Sequence, residues 1–289
     1  MTAQASAMSE ANETRSVSCE FFPPSTDKGA GKLLDTRHAL NEGMAPEFFS
    51  VTFGAGGSNR DRTLDSVKSL IDDGATEVAP HISCMGSSRE QLDDLLKTYI
   101  DMGIKRLVTL RGDIPADGDA SGDFRYASEL VTHIRETTGD HFRIEVAAYP
   151  EYHPESPTPD EDFRHFADKC RAGASSAITQ YFYNIDAYLR LRDRCIADGL
   201  DIDIVPGIMP ITNYASLIRF SDNCGADIPR WIRKNLEALQ DDKDSLFDFG
   251  VEVVSELCEQ LLFNDAPGLH FYTLNQSKAT LAIWDNIDP

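Results

Sequence analysis

A single glutamate, Glu20, stands in a sequence setting that could give it acid chemistry. It follows Cys19 and precedes the apolar segment Phe21-Phe22-Pro23-Pro24. Burial among apolar neighbours raises the pKa of a carboxyl group, and a general acid that works near neutral pH needs a raised pKa. A structural carboxylate paired with an arginine of the core fits the same local pattern, and both interpretations stay open on these residues alone.

A second group of polar residues lies on a predicted helix that begins at Pro159. Thr158 directly before Pro159 is typical of a capped helix start. Asp162, His165 and Lys169 then share one face of the helix, away from its apolar stripe. Such a face can bind a ligand, although exposure to solvent is the commoner explanation.

Strands and helices that could bring these residues together alternate along the chain. Apolar, β-rich segments end in polar, Gly or Pro residues, and amphipathic helical patterns separate them. The eight segments are Ser16–Pro23, Phe48–Ala55, Glu77–Cys84, Arg106–Asp113, Arg143–Glu151, Ser176–Tyr183, Asp203–Pro210 and Gly268–Asn275. This alternation predicts right-handed βαβ units with a parallel sheet, and eight units favour an α/β fold of the (β/α)8 TIM barrel type.

The predicted barrel is a single domain that covers residues 16–289, after a disordered N-terminal tail at residues 1–15. Ser87 and Glu90 fit a capping box at the start of the third helix. The span from Asn213 to Leu262 is mostly helical and gives the seventh crossover several helices.

In barrels of this type, chemistry takes place where the strands end and the following loops begin. Polar residues at these predicted strand ends should therefore meet at one mouth. They are Glu20, Thr52, His81, Arg111, Asp113, Tyr149, Glu151 and Gln180.

Composition excludes several classes of function. The chain has 48 acidic and 27 basic residues, and its net charge of −21 repels nucleic-acid phosphates. No apolar run is long enough for a membrane span, and the start lacks the features of a secretion signal. The six scattered cysteines suit a reducing compartment, so we expect a cytoplasmic protein without a metal site. The acidic balance is compatible with salt adaptation and equally with an ordinary acidic enzyme.

Short motifs follow one another in a fixed order from about Val17 to Leu281. They are Glu20-Phe21-Phe22-Pro23-Pro24, Ser50-Val51-Thr52-Phe53-Gly54-Ala55, Ala79-Pro80-His81, Leu110-Arg111-Gly112-Asp113, Ala148-Tyr149-Pro150-Glu151, Ala177-Ile178-Thr179-Gln180, Pro206-Gly207-Ile208 and His270-Phe271-Tyr272-Thr273-Leu274-Asn275. This series resembles the catalytic barrel of the methylenetetrahydrofolate reductase family, in its short bacterial form.

The resemblance implies a flavoprotein that holds FAD without a covalent bond. It implies ping-pong hydride transfer from NADH or NADPH to 5,10-methylenetetrahydrofolate, which gives 5-methyltetrahydrofolate for methionine synthesis. It also implies a homo-oligomer that has no membrane or nucleic-acid partner.

The resemblance assigns roles to individual residues. Glu20 becomes the general acid, and Asp113 contacts the pterin and places negative charge near the flavin. Substrate contacts fall to Thr52, Asp113, Gln180, Phe220 and Gln276. FAD contacts fall to Phe53, Ala55, His81, Arg111, Gly112, Asp113, Tyr126, Ala127, Tyr149, His153, Asp162, His165 and Lys169.

The more serious departures from the family pattern lie where the folate tail would bind. Gln276 stands where the family usually presents an arginine, and Ser216 stands where a glutamine is expected. Two alternatives therefore remain beside the reductase: a barrel flavoprotein with a changed acceptor, and a folate- or flavin-binding module without turnover. Retention of Glu20, Asp113 and Gln180 argues against the simple binding module.

Overall fold

The computed structural model describes residues 16–53, 60–113 and 122–287. The predicted tail at residues 1–15 and the predicted FAD contact at Ala55 lie outside the described residues.

All strands in the described part of the chain belong to one parallel sheet. They are β1 (Ser16–Phe21), β2 (Phe48–Val51), β3 (Val78–Ser83), β4 (Arg106–Leu110), β5 (Arg143–Ala148), β6 (Ser176–Thr179), β7 (Asp203–Val205), β8 (Gly207–Ile208) and β9 (Gly268–Tyr272). The order in the sheet is β7-β6-β5-β4-β3-β2-β1-β9-β8, and β7 and β8 are consecutive pieces of one segment. The two ends of the sheet therefore meet, which confirms the predicted (β/α)8 barrel.

The seventh predicted strand is divided at Pro206 instead of running unbroken to Pro210. Proline has no N–H to donate to a neighbouring strand. Its carbonyl still accepts a hydrogen bond of 3.0 Å from the N–H of His270. The next residue, Gly207, donates its N–H to the Thr179 hydroxyl at 2.8 Å, and a Cβ there would lie 2.1 Å from the Thr179 carbonyl oxygen. The sequence pattern predicted one strand here because the residues on both sides of Pro206 are mostly apolar.

Helices cover the outside of the barrel. They are α1 (Asp27–Met44), α2 (Arg60–Asp72), α3 (Arg89–Asp101), α4 (Ala127–Thr138), α5 (Pro159–Arg171), α6 (Ile185–Ala197), α7 (Tyr214–Cys224), α8 (Arg230–Leu239), α9 (Lys243–Phe263) and α10 (Lys278–Ile287). Helices α7 to α9 lie between β8 and β9, which confirms the predicted helical crossover.

Two helix starts show how closely the predicted caps match the structure. Thr158 caps α5, where its hydroxyl accepts from the N–H of Glu161 at 3.2 Å. The capping box of α3 uses Ser88 and Gln91, one residue later than the predicted pair at Ser87. Both pairs fit the capping-box pattern, because a glutamine can take the place of the glutamate.

The core has an outer and an inner part. The outer part packs helices against the outward faces of the strands and contains most of the buried apolar side chains. The inner part is a small cluster within the barrel, made of Phe48, Ala79, Val108 and Ile178. Such layers of inward side chains make the centre of a TIM barrel a packed core.

Charged residues close the amino-terminal end of the barrel. Arg106 donates to Glu145 at 2.9 Å and to Glu77 at 3.1 Å, and it also contacts Glu47. Its guanidinium lies 4.2 Å from the centroid of the Phe48 ring. Burial disfavours the cation, but the carboxylates outweigh this effect and raise the pKa of Arg106. We call Arg106, Glu47, Glu77 and Glu145 the basal cluster.

None of the helices in the described ranges has the length and apolar character that a membrane crossing requires.

Candidate active site

Two adjoining cavities open at the carboxyl ends of the strands. The side cavity, of about 740 Å³, lies between β4, β5, α4 and α5. The central cavity, of about 550 Å³, lies over the barrel axis. Phe53, Asp113, Tyr149 and His153 line both cavities, so ligands in the two would touch.

The side cavity collects most of the residues predicted to contact FAD. Those lining it are Phe53, Arg111, Gly112, Asp113, Tyr126, Ala127, Tyr149, His153, Asp162, His165 and Lys169. His81 lines the central cavity instead. The face of α5 that carries Asp162, His165 and Lys169 therefore forms part of the wall of the side cavity.

Lys169 places a partly buried cation on the wall of the side cavity. Its ammonium group donates to the carbonyl oxygen of Ala147, and no carboxylate in the described ranges forms an ion pair with it. Burial lowers the pKa of Lys169 to about 8, although Asp162 acts in the opposite direction. Asp162 itself accepts a hydrogen bond from Ser156 at 3.2 Å. A partly buried cation without a counter-ion suits an anionic ligand.

Arg111 supplies a second cation to the side cavity. Its guanidinium forms a 2.6 Å ion pair with Glu155 and a 3.1 Å hydrogen bond to the Gly112 carbonyl. Gly112 has φ of +85°, and a Cβ there would lie 2.0 Å from the Ser83 hydroxyl. A residue with a side chain would therefore disturb the turn that aims Arg111.

Two aromatic pairs border the side cavity. The rings of Tyr126 and His165 stack with centroids 4.8 Å apart and planes 18° apart. Tyr149 and His153 meet edge to face at 4.7 Å. Burial, followed by the charge of Arg111, lowers the pKa of His153. These flat surfaces are suited to a planar ring.

In the central cavity, Glu20 lies between two histidines. Its Oε2 is 3.3 Å from Nε2 of His81 and 3.9 Å from Nε2 of His270. Burial acts to raise the pKa of Glu20, but the two imidazoles outweigh burial and lower the pKa to about 2. The prediction of a raised pKa was therefore wrong, and so was the alternative of an arginine partner.

Glu20 has histidines as neighbours because of the register between strands. Glu20 of β1 pairs with Tyr272 of β9, and Ser18 pairs with His270, so these side chains share the inner face. Chain neighbours of Glu20 are apolar, whereas its neighbours in space come from β3 and β9. The sequence reading did not propose His270 as a site residue. Its position two residues before Tyr272, on the same strand face, is the signal that could have identified it.

Ser18 positions the ring of His270. The Ser18 hydroxyl lies 2.7 Å from Nδ1 of His270. When the hydroxyl donates to Nδ1, the ring proton sits on Nε2, on the side of Glu20. Ser18, His270, Glu20 and His81 thus form one cluster of polar groups, in which the Ser18–His270 contact has hydrogen-bond length and the contacts of Glu20 with the two histidines are longer.

The other predicted substrate residues lie around Glu20, with one exception. Thr52, Asp113, Gln180 and Phe220 all line the central cavity. The Gln180 side-chain oxygen accepts from the N–H of Tyr181 at 3.0 Å, which leaves its amide hydrogens for a ligand.

Gln276 is the exception among the predicted substrate residues. It is exposed and lines neither cavity. The preceding Asn275 instead holds the backbone of Phe22 with hydrogen bonds of 3.0 and 2.9 Å. A substrate contact for Gln276 stays a prediction.

Comparison with known proteins gives a consistent family. Residues 5–288 match the family model described as methylenetetrahydrofolate reductase. A 5,10-methylenetetrahydrofolate reductase from Pectobacterium carotovorum subsp. carotovorum is 39% identical over 267 residues, which cover 92% of this chain and 88% of the relative. The protein of the same name from Escherichia coli (strain K12) is 38% identical, with the same shares covered.

A solved structure resembles the fold over nearly its full length. It is described as an uncharacterized protein from Clostridium thermocellum that binds two copies of 5-methyl-5,6,7,8-tetrahydrofolic acid. The TM-score is 0.65 at 16% identity, over 95% of this chain and 94% of the other. At this identity the similarity concerns the fold alone.

Proposed function

Because the chain belongs to the methylenetetrahydrofolate reductase family, we propose that it reduces 5,10-methylenetetrahydrofolate to 5-methyltetrahydrofolate. In this proposal NADH or NADPH supplies the electrons, and the two substrates occupy the central cavity in turn. We also propose a cytoplasmic homo-oligomer that supplies methyl groups for methionine synthesis. The observation that carries the proposal is the pair of adjoining cavities, one with Lys169 and Arg111 on its wall and the other built around Glu20.

The side cavity fits FAD in charge, size and ring surfaces. Lys169 and Arg111 provide cations for a diphosphate, and the stacked Tyr126 and His165 provide a flat surface for an aromatic ring. Its volume of about 740 Å³ lies within the range of cofactor sites. FAD bound here would supply hydride-transfer chemistry between NAD(P)H and the folate.

Glu20 and its histidines would handle the proton of the reaction. With a pKa of about 2 the carboxylate of Glu20 is ionised at neutral pH, so a proton delivered to the folate must reach Glu20 from a neighbouring group. We propose that His81 or His270 passes this proton through Glu20 to the folate nitrogen that leaves when the ring opens. The same carboxylate then faces the positive charge that ring opening leaves on the folate carbon, and opposite charge stabilises it.

The neighbouring polar residues would orient the two substrates. Asp113 borders both cavities, so it can hydrogen-bond a pterin while it adds negative charge beside the flavin. Gln180 offers amide hydrogens to a carbonyl oxygen of either substrate. Thr52 and Phe220 lie on the walls, where a nicotinamide or folate ring would pass.

A spectroscopic experiment tests this function. The purified protein should be yellow, bleach anaerobically with NADH or NADPH, and recover its colour when methylenetetrahydrofolate is added. Bleaching without recovery would favour a changed acceptor, and a colourless or unreactive protein would favour a binding module.

Glu20→Gln separates the two half-reactions. Flavin reduction by NADH should remain, while flavin reoxidation by the folate should slow by about 10²-fold or more, the scale of general acid catalysis. Glu256→Gln, at an exposed site on α9, is the matched control and should leave both rates unchanged. Loss of both half-reactions in Glu20→Gln would contradict the assigned role.

A further inference from the structure

The central cavity is poor in permanent cations. Glu20, Asp113 and Glu155 contribute three carboxylates to its lining, and no lysine or arginine lines it among the residues that the structure describes. The chain as a whole carries a net charge of −21. An anionic substrate therefore meets an unfavourable field on its way into this cavity.

A folate substrate is such an anion. Its pterin is joined to an aminobenzoyl ring, and that ring is joined to a glutamate with free carboxylates. The chemistry needs the pterin beside Glu20, so under the proposed function the glutamate must lie toward the rim of the cavity. A positive group at the rim would offset the repulsion.

Arg219 is placed to provide that group. It is exposed on α7, and its guanidinium lies 5.2 Å from the ring centroid of Phe220. The Phe220 ring in turn lines the central cavity. Within the described ranges Arg219 forms no ion pair with a carboxylate, so its charge is available to a ligand.

The order of groups on α7 matches the order of groups in a folate. An aromatic ring, Phe220, lies on the cavity wall, and an exposed cation, Arg219, lies 5.2 Å from the centre of that ring and outside the cavity lining. An aminobenzoyl ring packed against Phe220 would carry its glutamate toward the guanidinium. Guanidinium groups bind carboxylates in a two-pronged geometry, which adds direction to the attraction.

We propose that Arg219 binds the glutamate carboxylates of the folate substrate and so sets the preference for a glutamate-bearing folate. This inference rests on the proposed function and names a binding residue of the same site. Arg219 touches the tail of the substrate only, and it acts on binding rather than on the chemical step.

Removal of the charge should affect one half-reaction. In Arg219→Gln, the apparent Kd of methylenetetrahydrofolate, measured by stopped-flow reoxidation of the flavin, should rise about tenfold, the effect of one charge-assisted hydrogen bond. The limiting rate of reoxidation should stay within about twofold, since the chemical step does not use Arg219. Flavin reduction by NADH should not change, which also shows that the variant is folded and loaded.

A truncated substrate makes the test specific. Methylenetetrahydropteroate lacks the glutamate, so wild type and Arg219→Gln should bind it equally. Arg219→Lys should recover part of the preference for the glutamate-bearing form, because it restores the charge without the planar guanidinium. Arg233→Gln, which removes the same charge from an exposed site on α8, is the control and should behave as wild type.

Three results would overturn the inference. An unchanged preference for the glutamate-bearing substrate in Arg219→Gln would show that another group binds the tail. A weaker Kd for NADH with an unchanged folate Kd would assign Arg219 to the nucleotide phosphates. A wild type that is reduced by NADH but not reoxidised by the folate would overturn the proposed function as well, whereas the first two results leave that function intact.

Discussion

Buried charge at the amino-terminal end of the barrel differs from buried charge at the mouth. In the basal cluster Arg106 contacts three carboxylates, two of them at 2.9 and 3.1 Å, so the charges compensate one another. At the mouth Lys169 donates to a backbone carbonyl and forms no ion pair with a carboxylate of the described residues, and Glu20 faces histidines instead of a permanent cation. Loss of one partner at the base would leave a buried charge poorly compensated, whereas an unmatched charge at the mouth already costs stability and leaves a group for a ligand.

The largest expected change in the free energy of unfolding is at the basal cluster. Arg106→Met should lower the free energy of unfolding by about 3 kcal/mol, because Glu145, only 2% exposed, would lose its 2.9 Å ion pair and retain the half-exposed Arg143 at 3.2 Å. Urea denaturation followed by circular dichroism measures this change. Arg171→Met breaks an exposed pair with Asp198 and should change stability by less than about 1 kcal/mol. Equal effects from the two variants would refute the contrast between the ends.

At the mouth, removal of a buried charge is expected to raise the free energy of unfolding. Lys169→Met should stabilise the FAD-free protein at pH 7 by about 2 kcal/mol, because the pKa of Lys169 is lowered to about 8 in the folded state. The exposed Lys97→Met on α3 is the control and should have little effect. A destabilised FAD-free Lys169→Met would place this lysine with the basal cluster.

The same lysine should make FAD binding depend on pH. Diphosphate binding favours the protonated amine, so affinity should be full below the pKa of about 8 and fall as the pH rises above it. Quenching of flavin fluorescence on addition to FAD-free protein measures this affinity. Lys169→Met should bind more weakly and lose the pH dependence between 7 and about 9. A wild-type affinity that is flat across this range would contradict a role for this amine.

A smaller effect is expected around Glu20. His270→Gln should raise the pKa of Glu20 by about 1 unit, because one of the two imidazoles that lower it is removed while burial remains. Carboxyl resonances in NMR spectra, followed from pH 2 to 6, report this value. His38→Gln, which alters an exposed histidine paired with Asp73, should leave Glu20 unchanged.

The smallest effect is expected from Ser18→Ala. This change removes the 2.7 Å contact that orients His270, and one hydrogen bond contributes about 1 kcal/mol. The pKa of Glu20 should move in the same direction as in His270→Gln, by a fraction of that shift. A shift larger than that of His270→Gln would mean that Ser18 acts on Glu20 by another route.

Sequence pattern predicted the segments of this fold better than it predicted their contacts. The strand segments and the helical crossover followed from apolar periodicity, which depends on nearby residues alone. The environment of Glu20 did not, because His81 and His270 reach it from β3 and β9. The basal cluster was missed for the same reason: Arg106 and Glu145 come together only through the register of β4 and β5.

The place of β9 between β1 and β8 decides when the barrel can close. β1 pairs with β2 and with β9, and β8 pairs with β9. A nascent chain that ends before Gly268 therefore has free backbone donors and acceptors along β1 and β8. Unpaired strand edges of this kind promote association with other chains. The ring closes only when β9 lies between β1 and β8, so a chain folded as far as β8 is the state in which these two edges are open to other chains.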